Sequence, residues 1–205
     1  MCEFSHRLLG GSLTAAGLPQ ASRFRLTNAA TARGIALLGS AAAVSIVYFL
    51  AARLGLALVS APSDVAVFWP ASGLAVGFLI IFGQRVGPAV VIGVIVGTVA
   101  ASVVSDKSLL TSVLKAICNA SEVILASWLI ERLFGRPFEF GDLRRVAGFL
   151  VAAGLASAAS ATVGAWTMIL LHSHAPFGDV WRAWLLSDLV GIIAVAPLVI
   201  GLGQM

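Results

Sequence analysis

Lys115, Asn119 and Glu122 recur at i, i+4 and i+7 inside an otherwise apolar run from Leu109 to Phe134. That spacing places an ammonium, an amide and a carboxyl group on one face of a helix. In hydrocarbon each charge would cost about 2.5–3.5 kcal/mol, so the face must look into protein or water. Ser112 extends the same stripe outward. Other polar groups interrupt apolar runs elsewhere: Arg53, the Trp69-Pro70 pair with Ser72 just beyond it, and Asp188. Counted from the ends of their runs, all fall at similar depth, in the outer half of a helical bundle. Two cations and two carboxylates are therefore placed to pair, with Arg53 and Asp188 expected to offset the burial of Lys115 and Glu122. Two readings stay open. The groups are structural ion pairs that fix helix register, or they line a pocket open to the outer, periplasmic side.

Other chemistry is poorly supported. Hydrolysis would need a nucleophile beside a base, or a metal-binding His-Glu-x-x-His run, and the chain has neither. His172 and His174 lie in a connection, where a metal site would need Asp179 or further ligands, so no metal and no cofactor is expected. Cys2 and Cys118 provide neither a disulfide framework nor metal-ligand spacing. Asn119-Ala-Ser121 matches a glycosylation acceptor, but inside an apolar helix the match is accidental.

The elements that position these groups follow from composition. The 205 residues are 60% hydrophobic and 11% charged, with a mean hydropathy of +1.02. Soluble domains carry about 25% charged residues, so the sequence reads as an integral membrane protein. Runs of spanning length occur at about 34–58, 65–83, 86–104, 109–134, 146–171 and 182–202. The expected fold is an all-α polytopic bundle of about six transmembrane helices. Residues 1–33 read as a cytoplasmic N-terminal tail, 34–202 as the membrane-embedded domain and 203–205 as the start of a linker. One further reading applies inside the second span. Proline at a first helical turn loses no needed hydrogen bond, so the helix should begin close to Pro70, after an irregular segment that lines the same cavity with Phe68 and Trp69.

Arginine sets the orientation. Arg7, Arg23, Arg25 and Arg33 precede the first span, Arg85 follows the second, and Arg132, Arg136, Arg144 and Arg145 follow the fourth. The alternate connections hold only Lys107 and Arg182. The bias toward Lys and Arg on the cytoplasmic side places both termini there. No basic face on a soluble module exists, so nucleic acid is not a partner. Gly73/Gly77, Gly83/Gly87 and Gly93/Gly97, each four apart, and the Ala-Ser-Gly run of the fifth span suit close helix packing. Trp128, Trp166, Trp181 and Trp184 suit interfacial or packing positions.

Several segments together resemble a known family. Trp69-Pro70-Ala71-Ser72-Gly73, then Gly83-Gln84-Arg85 and Gly87-Pro88, are similar to the opening motif of the first-type membrane-associated sensor (MASE) domains of bacterial signalling proteins. Asn119 and Glu122 match that family's Asn-x-x-Glu helix, and Trp184, Asp188, Gly191 and Pro197 match its last element. The resemblance covers about residues 35–202. Ala71, Gly87 and Ser187 depart from its usual proline, tryptophan and glycine. It implies a sensory input module of the bacterial inner membrane, without catalytic activity, that relays an unknown small ligand or membrane stimulus to a cytoplasmic histidine-kinase or diguanylate-cyclase output, usually as a homodimer. The resemblance singles out Asn119, Glu122 and Asp188, and the ligand-binding or signalling candidates in all are Arg53, Trp69, Ser72, Lys115, Asn119, Glu122, Trp184 and Asp188. The competing function is a small transporter or permease subunit, which charged groups at midplane depth would also suit.

Overall fold

The computed structural model describes residues 20–60, 65–171 and 176–205. The chain divides into two units, Met1–Ala36 and Leu37–Met205. In the first, the described part is the beginning of helix α1 (Gln20–Leu56), so helix already occupies part of the stretch expected as a tail. In the second, α1 is followed by a two-residue antiparallel ladder, β1 (Val59–Ser60) with β2 (Val65–Ala66), and then by α2 (Pro70–Phe82). A 3-10 turn at Gln84–Val86 leads into α3 (Gly87–Val103), and α4 (Leu109–Phe134), α5 (Leu143–Leu171) and α6 (Phe177–Gly203) complete the order.

Four segments are long and apolar enough to cross a membrane: Thr31–Leu56, Leu109–Phe134, Leu143–Leu171 and Phe177–Gly203. The two shorter helices correct the expectation of six full spans. α3 has 17 residues, at the lower limit for crossing. α2 has 13, about 20 Å at 1.5 Å per residue, which is too short. The span expected at 65–83 is instead a short ladder and bend, then a helix from Pro70, as proline chemistry foresaw. Pro70 opens α2 with no side-chain cap, and Gly83, at φ 78°, closes it by donating its N–H to Leu79 O. Arg136 seals the same end, donating from Nη2 to Ile80 O at 2.9 Å and Ile81 O at 3.1 Å.

Neighbouring side chains give the helix directions. Gly73 lies against Gly191 and Val195, Gly77 against Val199, and Ile81 against Gly203, so α2 runs parallel to α6. Gly93 meets Val44 and Gly97 meets Tyr48, so α3 runs parallel to α1. Glu122 meets Ser157, Cys118 meets Ser160, and Phe134 meets Gly148, so α4 and α5 are antiparallel. The register has one consequence that hydropathy does not show. Trp69 lies opposite Gly191, about 21 Å along an α6 that is about 40 Å long. α2 is thus a half-helix whose N-terminus opens in the middle of the bundle.

Two of the three glycine pairs pack as the sequence implied, and the third does not. Gly73/Gly77 face α6 and Gly93/Gly97 face α1, whereas Gly83 is the cap of α2 and Gly87 opens α3. The outward surface is apolar, with Ile46, Leu50, Leu155, Val163 and Leu198 each more than half exposed, as a lipid-facing surface requires. His172 and His174 lie outside the described residues.

The altered start of α2 gives a labelling prediction. Val67 is exposed and Ala71 fully buried. In membrane vesicles, Val67→Cys should react with a membrane-impermeant thiol reagent while Ala71→Cys stays silent. Labelling that follows a helical period from Val65 onward would contradict the irregular segment.

Candidate functional site

Glu122 lies 13 residues into the 26-residue α4, at its midpoint, and is 1% exposed. Its carboxyl oxygens are held by hydroxyls from two other helices. Ser72 Oγ donates to Oε2 at 2.8 Å, and Ser157 Oγ donates to Oε1 at 2.6 Å. Ser72 belongs to the first turn of α2, so the carboxyl group lies beside the positive end of that half-helix. A helix N-terminus favours negative charge by about 0.3–1 kcal/mol at a surface and more where partly buried. Hydroxyl donors and a helix end are therefore what compensate the buried carboxyl group.

Asp188, 3% exposed, approaches from α6. Its carboxyl group lies within hydrogen-bonding reach of Glu122 and of the Trp184 indole one turn earlier. Its Oδ2 atom is buried with no hydrogen-bond partner. Around the pair runs a second polar chain. Trp69 Nε1 donates to Tyr48 OH at 3.3 Å, Tyr48 and Thr98 are hydrogen-bonded, and Asn119 Nδ2 donates to Thr98 Oγ1 at 3.4 Å. The main-chain N–H of Trp69 donates to Ser187 O at 3.2 Å, which fastens the entry of α2 to α6.

These groups enclose a cavity of about 40 Å³ lined by Trp69, Thr98, Lys115, Asn119, Trp184 and Asp188, among others. Organic ligands occupy pockets of about 300–1,000 Å³, while one water needs only about 10–15 Å³. In this conformation the cavity fits water-sized species. The Lys115 ammonium stands 5.9 Å from the centre of the Trp184 ring, within cation–π range.

Seven of the eight candidates come together here: Trp69, Ser72, Lys115, Asn119, Glu122, Trp184 and Asp188. Arg53 does not. Its guanidinium donates to the Ser105 hydroxyl in the α3–α4 connection, so the expected pairing of Arg53 with a carboxylate is corrected. The reason is height: Arg53 is in the last turn of α1, well outside the level of Glu122. Phe68 is likewise absent from the cavity wall. Sequence reasoning passed over Ser157, which sat in a stripe read as packing, and Tyr48 and Thr98. Ser157 was detectable in principle, since a hydroxyl in a small-residue stripe is a donor for a carboxyl group on the facing helix. Among the described residues no cluster of three or more His, Cys, Asp or Glu side chains could hold a metal ion.

The sequence model of the MASE1 family matches residues 40–205, a range that contains every element of the site. The chain belongs to the MASE1 family. No protein of curated function matches the chain, and no solved structure does. MASE1 domains are non-catalytic sensory modules, so this MASE1 chain is not an enzyme, and its general role is signal input at a membrane.

Proposed function

We propose that this MASE1 domain senses its stimulus at the mid-bundle cluster of Glu122, Asp188, Lys115 and Asn119, and relays it along α6 to a cytoplasmic kinase or cyclase output. One observation carries this reading: the site and the exit share a helix. Ser187 and Gly191, on either side of Asp188 in sequence, meet the entry of α2 at mid-depth, and the same α6 continues to Gly203. Its end is tied to the α4–α5 connection by Gln204 Nε2, which donates to Phe138 O at 2.8 Å. A shift of α6 against α2 at the site would thus reach the cytoplasmic end of α6 and any output joined to it. Differential stabilisation of two packings by about 1–3 kcal/mol suffices for useful coupling.

The end of the bundle that holds Gln204 also holds Arg85, Arg132, Arg136, Arg144 and Arg145, so on charge bias it is the cytoplasmic end. A diguanylate-cyclase domain fused after Met205 should make its product from cytoplasmic nucleotide, and a phosphatase active only in the periplasm should stay inactive at that point. The opposite pair of results would refute the orientation and the relay together.

A transporter is the second reading, and the half-helix favours it, since interrupted helices ending at midplane depth build substrate sites in secondary transporters. Uptake into proteoliposomes separates the two, because a sensor moves no solute.

A further inference from the structure

We propose that the Glu122–Asp188 pair is a proton-binding site, and that one proton shared between the two carboxyl groups is the small ligand this cavity takes. The inference rests on the sensory reading for its regulatory meaning, but the site itself stands on geometry. Two carboxyl groups from different helices, 1% and 3% exposed, lie within hydrogen-bonding reach of each other. Two ionised carboxylates buried at one level repel each other in a medium that screens them poorly, and a single proton shared between them removes that repulsion. Arg53, the guanidinium expected to pair with these carboxyl groups, is held by Ser105 instead.

The remaining contacts favour one negative charge rather than two. Glu122 already accepts from both Ser72 and Ser157, the environment of an ionised carboxylate. Asp188 has the Trp184 indole and an Oδ2 with no partner. Asp188 also lines the cavity of about 40 Å³, which has room for a water beside its side chain. The supply route follows. A hydronium ion from the outer side gives its proton to the carboxyl pair, one O–H bond breaks and another forms, and neutral water is left in the cavity. The pair goes from two negative charges to one.

Among the described residues, the other groups that face the pair are these. α1 contributes the Tyr48 phenol, and α4 contributes the Cys118 thiol and the Lys115 ammonium, with Lys115 on the cavity wall beside Trp184. α2, α3 and α5 contribute the hydroxyls of Ser72, Thr98, Ser102 and Ser157, which do not titrate. The regulatory consequence has a definite sign. A packing that holds the carboxyl groups together binds the shared proton more tightly than one that separates them, so by linkage acid favours the packed form. Loss of the proton leaves two adjacent negative charges, which push α6 from α4 at the level where α2 begins.

Infrared difference spectroscopy of the chain in lipid vesicles reads the proton directly and does not depend on whether the chain signals. At neutral pH the wild type should show one protonated carboxylic acid per chain, and its band should fade as pH is raised. Carbon-13 labelling of aspartate carboxyls should shift part of that band and labelling of glutamate should shift part too, because the proton is shared. The combined Glu122→Gln and Asp188→Asn chain should lose the band. The labelling arms use unaltered protein, so they hold even where the variant fails to fold. Absence of a protonated carboxyl at neutral pH, two per chain, or a band that survives the double substitution would each overturn the proposal. A band seen in choline chloride but abolished by sodium chloride at the same pH would overturn it in favour of a sodium ion.

Discussion

Replacing Glu122 with leucine is expected to fix the output of a fused cyclase at one level, with a change of about 5- to 150-fold from the responsive wild type, the range that coupling of 1–3 kcal/mol produces. Glu122 is where three helices are joined: its own α4, α2 through Ser72 and α5 through Ser157. Hydrogen bonds to a charged group contribute about 1.5–3 kcal/mol each, so the two joints together are comparable to the whole free energy that separates two signalling packings. Membrane insertion should not suffer. Leucine removes a group that is costly in hydrocarbon, and the freed Ser157 hydroxyl can turn to the main-chain carbonyl one turn back, as those of Ser45 and Ser127 already do. The measurements are membrane yield, which should stay at wild-type level or rise, and cyclic-dinucleotide production across external pH. A variant that responds as the wild type does would remove Glu122 from the relay.

The second large effect concerns folding. A Cβ placed on Gly191 would collide with the main-chain carbonyl of Trp69. Backbone cannot turn aside as a side chain can, so α2 would have to move off α6 at the point where the half-helix starts. Gly191→Ala should therefore lower stability by about 1–3 kcal/mol, the usual effect of overpacking, and disturb the cavity beside it. Gly154, on α5, has open space where its Cβ would go. Gly154→Ala should be neutral or stabilising, by up to about 1 kcal/mol, through helix propensity alone. Unfolding of the purified chains in detergent measures the difference. Equal effects of the two substitutions would show that the α2–α6 contact is looser than described.

Much of this was legible along the chain because it depends on composition and short-range spacing. The six apolar helices, the start of α2 at Pro70 and the common face of Lys115, Asn119 and Glu122 each follow from residues within a few turns of one another. Family membership was legible too, since Trp69-Pro70, Asn119…Glu122 and Asp188…Gly191 are local motifs. The charge bias of the connections was also available from the sequence, as a count.

The partners of the buried carboxyl groups were not. Pairing by sign suggested Arg53, but sign says nothing about height, and the structure places Arg53 in the last turn of α1 with Ser105. The actual partners are Ser72 and Ser157, 50 and 35 residues from Glu122 in sequence, chosen by the register of three helices against one another. Register depends on where each helix starts and on how closely its neighbour approaches. Here both are set by Trp69 and Gly73 against Gly191, a contact between backbones that no residue pattern on either helix displays. Sequence alone therefore determined that this protein lies in a membrane and carries polar groups within it. Only the tertiary structure decided that α2 is a half-helix, that it opens beside two carboxyl groups, and that those groups face each other, because that outcome depends on distances between helices that are far apart in the chain.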